Sequence, residues 1–286
     1  MKNCWIFLII ISFMSLISCS KKDETYNDST KLILNISIDN RTRISKQSFE
    51  KGDKIGFYLV NYVNNMPGIL GNILNTEKVN IEYEYNGTFW NAPDGEEIYL
   101  NNTYSDLYAY YPYDYEMNRT NEKMNLAAYP FSIQTDQSSS LIENDFLWSK
   151  VTKLNNENSE AQVIFQHLMG RCEINLKFND SIEKPEDPNL KIHNTKTHCT
   201  INLRVGEVFA IDGNEIIHPQ KNSKTNTGFD KTYDVILIPQ IIEKGTPFFS
   251  VNIDNYTLIY ELEEDLTISS QELYVFNMTV GSAQLP

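Results

Sequence analysis

Cysteine and basic charge are both scarce in this 286-residue chain, which has four cysteines and 24 Lys and Arg against 38 Asp and Glu. The formal net charge is −14, and no stretch concentrates the basic residues, which argues against a nucleic-acid partner. The sequence also lacks the motifs of common active sites, such as H-E-x-x-H, G-x-S-x-G and the phosphate-binding loop. Adjacent carboxylates such as Glu96 and Glu97 define no cleft. We therefore expect neither an enzyme nor a bound cofactor.

A long hydrophobic run is missing as well. The apolar stretch from Trp5 to Ile17 has about 13 residues and would rise roughly 20 Å as a helix, short of the ~30 Å hydrocarbon core. Behind a basic start, this length is typical of a secretory signal. The stretch ends in Leu16-Ile17-Ser18-Cys19, which resembles the lipobox of bacterial lipoproteins and implies cleavage before Cys19 and acylation of its thiol. An ordinary signal peptide with a chance cysteine is the alternative.

The segment after Cys19 is charged and then polar. Residues 20–24, SKKDE, resemble the export tag of surface lipoproteins, so we expect a lipid-anchored protein that faces outward from the outer membrane. The predicted organisation is a signal peptide over 1–18, a tether over 19–29, and two domains over 30–157 and 158–286. The boundary between the two domains is placed at a polar, asparagine-rich run that begins near Asn155.

Both predicted domains have the pattern of an all-β protein. Tyrosine and phenylalanine are abundant, with 17 and 14 copies, and short strand-like runs alternate with turn signals every 8 to 12 residues. This pattern predicts two β-sandwiches in tandem. The first strand is the clearest, because apolar side chains occur at every second position: Leu32, Leu34, Ile36 and Ile38.

The order of several segments resembles the Mfa-like fimbrillin family. They are FEKGDKIGFYL, DLYAYYPY, NDFLW, FQHLMGRCEINLKF and ILIPQIIEKGTPFFSVNID, which together span nearly the whole chain after the signal. The resemblance implies two transthyretin-like Greek-key sandwiches and a surface lipoprotein that forms or decorates a type V pilus. It also implies assembly by β-strand exchange, in which an arginine-specific protease removes the first strand and another fimbrillin-like subunit supplies its replacement.

The chain contains candidate parts for this mechanism. Arg41 and Arg43 follow the first strand in a polar loop, and cleavage at either would release that strand, whose candidate exchanged residues are the four alternating apolar ones. The last strand is followed by only about six residues, which favours an accessory, anchor or tip subunit, with a receptor on a host or bacterial surface. The alternative is a surface glycan-binding lipoprotein of a polysaccharide-uptake system. Such proteins usually expose several tryptophans, whereas only Trp90 and Trp148 follow the signal.

A tyrosine-rich run, residues 107–115, suggests a contact surface. As a strand it places Tyr108 and Tyr110 on one face and the residues between and beside them on the other. Tyr113 and Tyr115 follow Pro112 in a predicted loop, where exposed aromatic rings would suit a sugar or protein partner. The alternative is that they pack within the fold.

The remaining cysteines and histidines have two interpretations each. Cys172 and Cys199 occur in strand-like runs, and outside the cytoplasm they could form a disulfide or stay as buried thiols. His193 and His198 are five residues apart and face opposite sides of a strand, so we predict no metal site. His167 is predicted to be a structural hydrogen-bonding residue.

Overall fold

The computed structural model describes residues 29–39, 48–72, 74–119, 125–180, 182–253 and 256–281. Within these ranges the regular structure is almost entirely strand, with one short α-helix, Glu116–Arg119, and one 3-10 helix, Ile142–Asn144. The prediction of an all-β protein is confirmed. None of the helices in these ranges has the length and apolar character needed to span a bilayer.

The strands are short and numerous, as the turn spacing predicts. The first ten are β1 Thr30–Lys31, β2 Ile33–Ile38, β3 Lys54–Asn61, β4 Thr76–Tyr85, β5 Trp90–Asn91, β6 Tyr99–Leu100, β7 Ser105–Tyr111, β8 Tyr129–Ser132, β9 Leu147–Leu154 and β10 Glu160–His167. The rest are β11 Gly170–Phe178, β12 Lys191–Ile192, β13 His198–Asn202, β14 Glu207–Asp212, β15 Gln220–Lys221, β16 Lys231–Leu237, β17 Gln240–Ile242, β18 Pro247–Ile253, β19 Tyr256–Glu261, β20 Leu266–Ile268 and β21 Leu273–Val280.

One large sheet organises the first half of the chain. Its seven strands have the order β2-β10-β9-β7-β3-β4-β5, and β1 pairs separately with β6. The second half contains sheets of order β15-β16-β11-β21, β12-β18-β19 and β17-β20, and a further sheet of order β14-β13-β8. Among the described strands, pairing is antiparallel except in two places, where β2 runs parallel to β10 and β21 runs parallel to β11. Strand β2 and the last strand, β21, are therefore both edge strands that pair in parallel with their neighbours.

Strand β7 is buried along its whole length because both faces of the seven-stranded sheet are covered. One face packs into the first core, which includes Leu32, Ile38, Phe57, Leu107, Ala109, Tyr111, Leu147 and Phe165. The other face packs into the second core, which includes Tyr58, Tyr108, Tyr110, Phe146, Cys172, Val235, Phe248 and Phe249. The two faces predicted for β7 are confirmed. Because the second core is continuous from this sheet into the last strands of the chain, the two halves share one hydrophobic interior.

The structure differs from the predicted boundary at 157/158. Strand β10 lies beyond it but belongs to the seven-stranded sheet, whereas β8 lies before it and pairs with β13. The asparagine-rich run is a tight hairpin between β9 and β10, closed by a bridge of Asn155 to Asn158. Turn residues of this kind mark hairpins as well as linkers. The chain instead changes sheets at the buried pair Leu168–Met169, which directly joins β10 to β11.

Polar contacts fasten the two halves together across the second core. The Gln137 side chain behaves like a strand residue, because its Oε1 accepts from Ile236 N and its Nε2 donates to Ile236 O, both at 2.9 Å. The Trp148 indole N–H donates to Leu203 O at 2.8 Å. A side chain at Gly206 would collide with this indole, since a Cβ there would lie 2.5 Å from Trp148 Cε3.

Candidate functional site

Strand β2 forms an edge of the seven-stranded sheet and pairs there with β10 alone. The alternation predicted from sequence is confirmed. Leu32 and Ile38 are buried in the first core, and Leu34 and Ile36 are half-buried against it. On the opposite face, Ile33 is 56% exposed. The apolar residues that were expected to fill a sandwich therefore do so from an edge position.

Among the described residues, the hydrogen bonds of the β2 backbone run to one side only along most of its length. Ile33 N donates to Ser159 O at 2.9 Å, and Asp39 N donates to Phe165 O at 2.8 Å. In a parallel ladder, alternate residues bond to the same neighbour. The odd-numbered residues of β2 thus bond to β10, and the N–H and C=O groups of Leu34, Ile36 and Ile38 point away from it.

Within the ranges that the structure describes, a second neighbour reaches this strand only at its beginning. There, β1 pairs antiparallel with β6, and Leu32 N donates to Ile98 O at 2.9 Å. Beyond Leu32 the two segments diverge, because residues 93–96 turn away from β2 instead of continuing the ladder. The gap that results is a groove of about 910 Å³ between the two edge strands of the sheet, β2 and β5.

The groove has an aromatic and aliphatic interior and a polar rim. Phe49 contacts Trp90 edge-on, with ring centroids 4.9 Å apart, and Trp90 also contacts Tyr85 at 5.1 Å. At the rim, Lys31 Nζ lies 3.6 Å from Glu97 Oε1. A hydrogen bond from its own backbone N–H, followed by the charge of Lys31, lowers the pKa of Glu97. Other lining residues are Leu34, Asn35, Ile36, Tyr83, Phe89, Asn91, Ala92, Asp94 and Gln162.

Three predicted site residues lie outside the described residues. They are Cys19, the proposed lipid attachment point, and Arg41 and Arg43, the proposed cleavage points. The described residues that flank the two arginines are Asp39, just after β2, and Ser48, at the end of the groove. The predicted cleavage points thus fall in the connection between the edge strand and the groove wall.

The tyrosine loop is only partly at the surface. Tyr113 is half-buried against the second core, and its backbone N–H donates to Lys54 O at 3.0 Å. Tyr115 is 57% exposed. A contact surface that includes both rings stays a prediction, and the structure presents Tyr115 more fully than Tyr113.

Of the two alternatives for Cys172 and Cys199, the structure has the buried free thiols and not the disulfide. Cys172 lies in β11 and Cys199 in β13, which belong to different sheets, and both are buried free thiols in the second core. Burial raises the pKa of Cys199 to about 12 and that of Cys172 further still. Neither thiol is therefore ionised at neutral pH, and both behave as small apolar side chains.

The histidines make structural hydrogen bonds. His167 Nδ1 lies 2.7 Å from Asp145 Oδ2, and both side chains are fully buried, which agrees with the predicted structural role. His193 Nε2 lies 2.8 Å from Ser250 Oγ, and burial lowers the pKa of His193. Across the described ranges no three His, Cys, Asp or Glu side chains come together as metal ligands would.

Strand β21, the last one, resembles β2 in its placement. Strand β21 lies at the edge of its sheet, and Tyr274, Phe276, Met278 and Val280 pack against the second core. The Phe276 ring lies 5.5 Å from Phe248 and 5.8 Å from Phe249. Sequence reasoning missed both the parallel pairing of the terminal strands and the groove. The signals available for the groove were Phe49 and the aromatic pair Phe89–Trp90 around a tight turn.

Comparison with known proteins places these features in context. The model of a family described as fimbrillin-like matches residues 42–286. No curated protein sequence matches the chain. A candidate cell adhesion protein from Bacteroides uniformis superposes with a TM-score of 0.62 at 18% identity, covering 89% of this chain and 95% of its own. A second, from Bacteroides ovatus, gives a TM-score of 0.64 at 18% identity and covers 87% and 92%.

Proposed function

We propose that this chain, which belongs to the fimbrillin-like family, is a surface lipoprotein subunit of a type V pilus that accepts a strand from a neighbouring subunit. The family comprises fimbrial and adhesion proteins and not enzymes, and it implies a location at the cell surface or in a fimbrium. Interaction with other pilus subunits follows from the same membership. The protease, the lipid anchor, the transthyretin-like topology and the exchange step are the finer parts of the proposal.

The observation that supports strand exchange is the edge position of β2. One parallel ladder to β10 and four inward side chains hold this strand, and the pairing of β1 with β6 adds two residues. Two buried and two half-buried apolar side chains are worth roughly 4 to 9 kcal/mol gross. Loss of β2 would have to be compensated by another strand, because a vacant edge on β10 would expose Val163 and Phe165 of the first core.

Cleavage at Arg41 or Arg43 would separate the strand from the rest of the fold without cutting a described strand. The released piece would carry Cys19 and its lipid. A strand from another subunit would then take its place through main-chain hydrogen bonds, with alternate side chains in the first core. Before cleavage, the acylated Cys19 would hold the protein in the outer membrane.

The last strand favours an acceptor role for this chain. If β21 were donated to a neighbour, Phe276 would have to leave Phe248 and Phe249, and the second core would open. An accessory, anchor or tip subunit needs only to receive a strand, and we propose that this chain occupies one of these positions in the pilus. Adhesion would then use a surface that no neighbouring subunit covers. Tyr115 belongs to the proposed contact surface because it is the more exposed of the two loop tyrosines.

The proposal is tested by controlled cleavage. The full chain in detergent is treated with an arginine-specific protease, the fragments are identified by mass spectrometry, and the product is mixed with a second fimbrillin-like subunit. We expect cleavage after Arg41 or Arg43 and a ladder of complexes on unheated gels. The matched control is Arg41→Lys with Arg43→Lys, which keeps the charge but removes the protease site. Complexes that form equally well with this control would refute processing as the trigger.

The alternative, a glycan-binding lipoprotein, has one supporting observation. Phe89 is 67% exposed beside the half-buried Trp90, in the groove that Asn35 and Asn91 also line. Of the two tryptophans after the signal, Trp148 is engaged with Leu203 and only Trp90 borders the groove. An array of bacterial and host glycans probed with the uncleaved chain tests this function, and Trp90→Ala should abolish any signal that depends on the groove.

A further inference from the structure

We propose that one end of the seven-stranded sheet lies against the lipid surface of the membrane, through four exposed apolar side chains in the loop between β3 and β4. These four residues, Val63, Met66, Ile69 and Leu74, form what we call the apolar tip. The inference rests on the lipid anchor proposed above, because the position of that anchor decides which end of the sheet faces the membrane.

The loop that carries the apolar tip differs from the rest of the chain in composition. Residues 62–75, YVNNMPGILGNILN, contain no charged residue, although Asp, Glu, Lys and Arg make up 22% of the chain. Met66 is 67% exposed and Leu74 is 89% exposed, the highest value among the large apolar side chains that the structure describes. A cluster of exposed apolar side chains without charges is typical of a surface that contacts another protein or a membrane.

A tight turn holds the first two side chains of the tip in place. Val63 and Met66 exchange two main-chain hydrogen bonds, of 2.9 and 3.0 Å. Asn64 and Asn65, which lie between them, have φ angles of 52° and 61°. This is a two-residue hairpin of type I′, and asparagine is one of the few residues that adopt its positive φ readily. The apolar side chains are therefore presented by a defined backbone.

The base of the loop is fixed to the fold. Leu70 is buried in the second core, and its carbonyl oxygen accepts from Arg204 Nε at 3.0 Å. Tyr62 N donates to Tyr104 O at 2.8 Å, and the two rings lie edge-on with centroids 6.0 Å apart. The Tyr104 ring is exposed beside the loop. Tyrosine rings, which combine an apolar body with a polar hydroxyl, are enriched at the headgroup level of membranes.

The loop and the start of the described chain lie at the same end of the seven-stranded sheet. Strand β2 begins at Ile33, which pairs with Glu160 at the start of β10. A tight hairpin joins β10 to Leu154, the last residue of β9. There, Ser105 of β7 pairs with both Leu154 and Asn61, the last residue of β3. The β3–β4 loop therefore leaves the sheet at the end where β2 enters it.

This placement favours a lipid surface as the partner of the apolar tip. From Cys19 to Ser29, the first described residue, the chain advances ten residues, which reach at most about 35 Å when fully extended. An acyl group on Cys19 would therefore keep this end of the sheet close to the membrane. Strands β2 and β3 are four strand spacings apart, or about 19 Å. The tip would thus face the same lipid surface as the anchor.

The charges at this end do not favour an acidic membrane. The exposed charged side chains near it include Glu77, Glu157 and Lys153, which form no basic cluster, and the whole chain has a net charge of −14. Attraction to acidic headgroups needs clustered lysine or arginine. The contact would therefore be apolar, would form on zwitterionic lipid, and would not weaken at high salt.

The test maps contact between the full chain and lipid acyl chains. The chain is reconstituted in phosphatidylcholine vesicles that contain a lipid with a photoreactive diazirine in its acyl chain, and adducts are located by mass spectrometry. We expect about threefold more adducts on residues 62–72 than on residues 86–92, which follow the other end of β4 about 30 Å away. The yield should be the same at low and high salt.

Two variants identify the side chains responsible. Met66→Asp with Ile69→Asp should lower the adduct yield on the loop about threefold, because charged side chains leave the apolar layer. The matched control is Ile241→Asp, which changes an exposed apolar residue of β17 and should leave the yield unchanged. Both positions are exposed, and circular dichroism confirms that each variant is folded. The same mass spectra report whether Cys19 is acylated.

Several results would overturn the inference. They are equal adduct yields at the two ends of β4, or equal effects of the tip variant and Ile241→Asp. Adducts on the loop that fall as more chains are placed in each vesicle would assign the tip to a second copy instead. Acylated Cys19 without adducts on the loop would remove this proposal and leave the lipid anchor standing. Adducts on the loop with an unmodified Cys19 would support the membrane contact and remove the anchor.

Discussion

Shortening Ile38 to alanine is expected to loosen β2 while leaving its partner strand intact. The side chain is 6% exposed, lies in the first core and is paired with Phe165 of β10. Ile38→Ala removes three buried carbons, which amounts to about 2 to 3 kcal/mol at ~0.8 kcal/mol each. Ile33 lies on the same strand but is 56% exposed, so Ile33→Ala should cost about 0.5 kcal/mol.

Two measurements follow this change. In urea titrations of the uncleaved chain, Ile38→Ala should lower the free energy of unfolding by about 2 kcal/mol more than Ile33→Ala. After cleavage at Arg41 or Arg43, a loss of 2 kcal/mol should speed release of the N-terminal fragment roughly 25-fold. Size-exclusion chromatography measures this release. Equal release rates for the two variants would refute the claim that the inward side chains hold β2 in place.

Three further predictions concern stability and the buried thiols. Gly206→Ala should destabilise the chain by about 1 to 3 kcal/mol more than Gly95→Ala, because both glycines have positive φ but only Gly206 faces Trp148; equal urea midpoints would contradict this. A hydrogen bond from Lys184 lowers the pKa of Asp230 from 3.8, so its stabilisation is present above pH 3.8 and lost below; the difference in urea midpoint between the wild type and Asp230→Asn should therefore shrink as the pH falls from 6 to 3, and a constant difference would refute it. Both buried cysteines should resist a thiol reagent at pH 8 until urea unfolds the chain, whereas rapid labelling of Cys172 or Cys199 in the native chain, located by mass spectrometry, would contradict their burial.

Local periodicity accounts for what could be predicted from the sequence. The inward residues of β2 and the two faces of β7 follow from a side-chain period of two, which depends on each strand alone. The pairing partners of a strand do not follow from this period, since nothing near residues 33–38 indicates that they pair in parallel with residues 160–165. The groove depends on the divergence of β6 from β2, which is a relation between two such segments.

The points that the sequence left open, and the domain boundary, have similar causes. The asparagines at 155–158 form a hairpin turn and not a linker, because the same residue types suit both. Cys172 and Cys199 share a hydrophobic core without meeting, since each strand places its thiol according to its own sheet. Tyr113 follows a turn in sequence but returns to pack on the second core, a tertiary contact that composition does not encode.

The direct connection of β10 to β11 through Leu168–Met169 has a mechanical consequence. If the strand exchange proposed above takes place, and if the pull on the subunit runs along β10, the main-chain hydrogen bonds of the replacement strand would be sheared together and not peeled one by one. The force would then cross into the second half of the molecule through two buried residues of continuous covalent chain. Such a subunit could resist stretching without relying on the non-covalent surface between its halves.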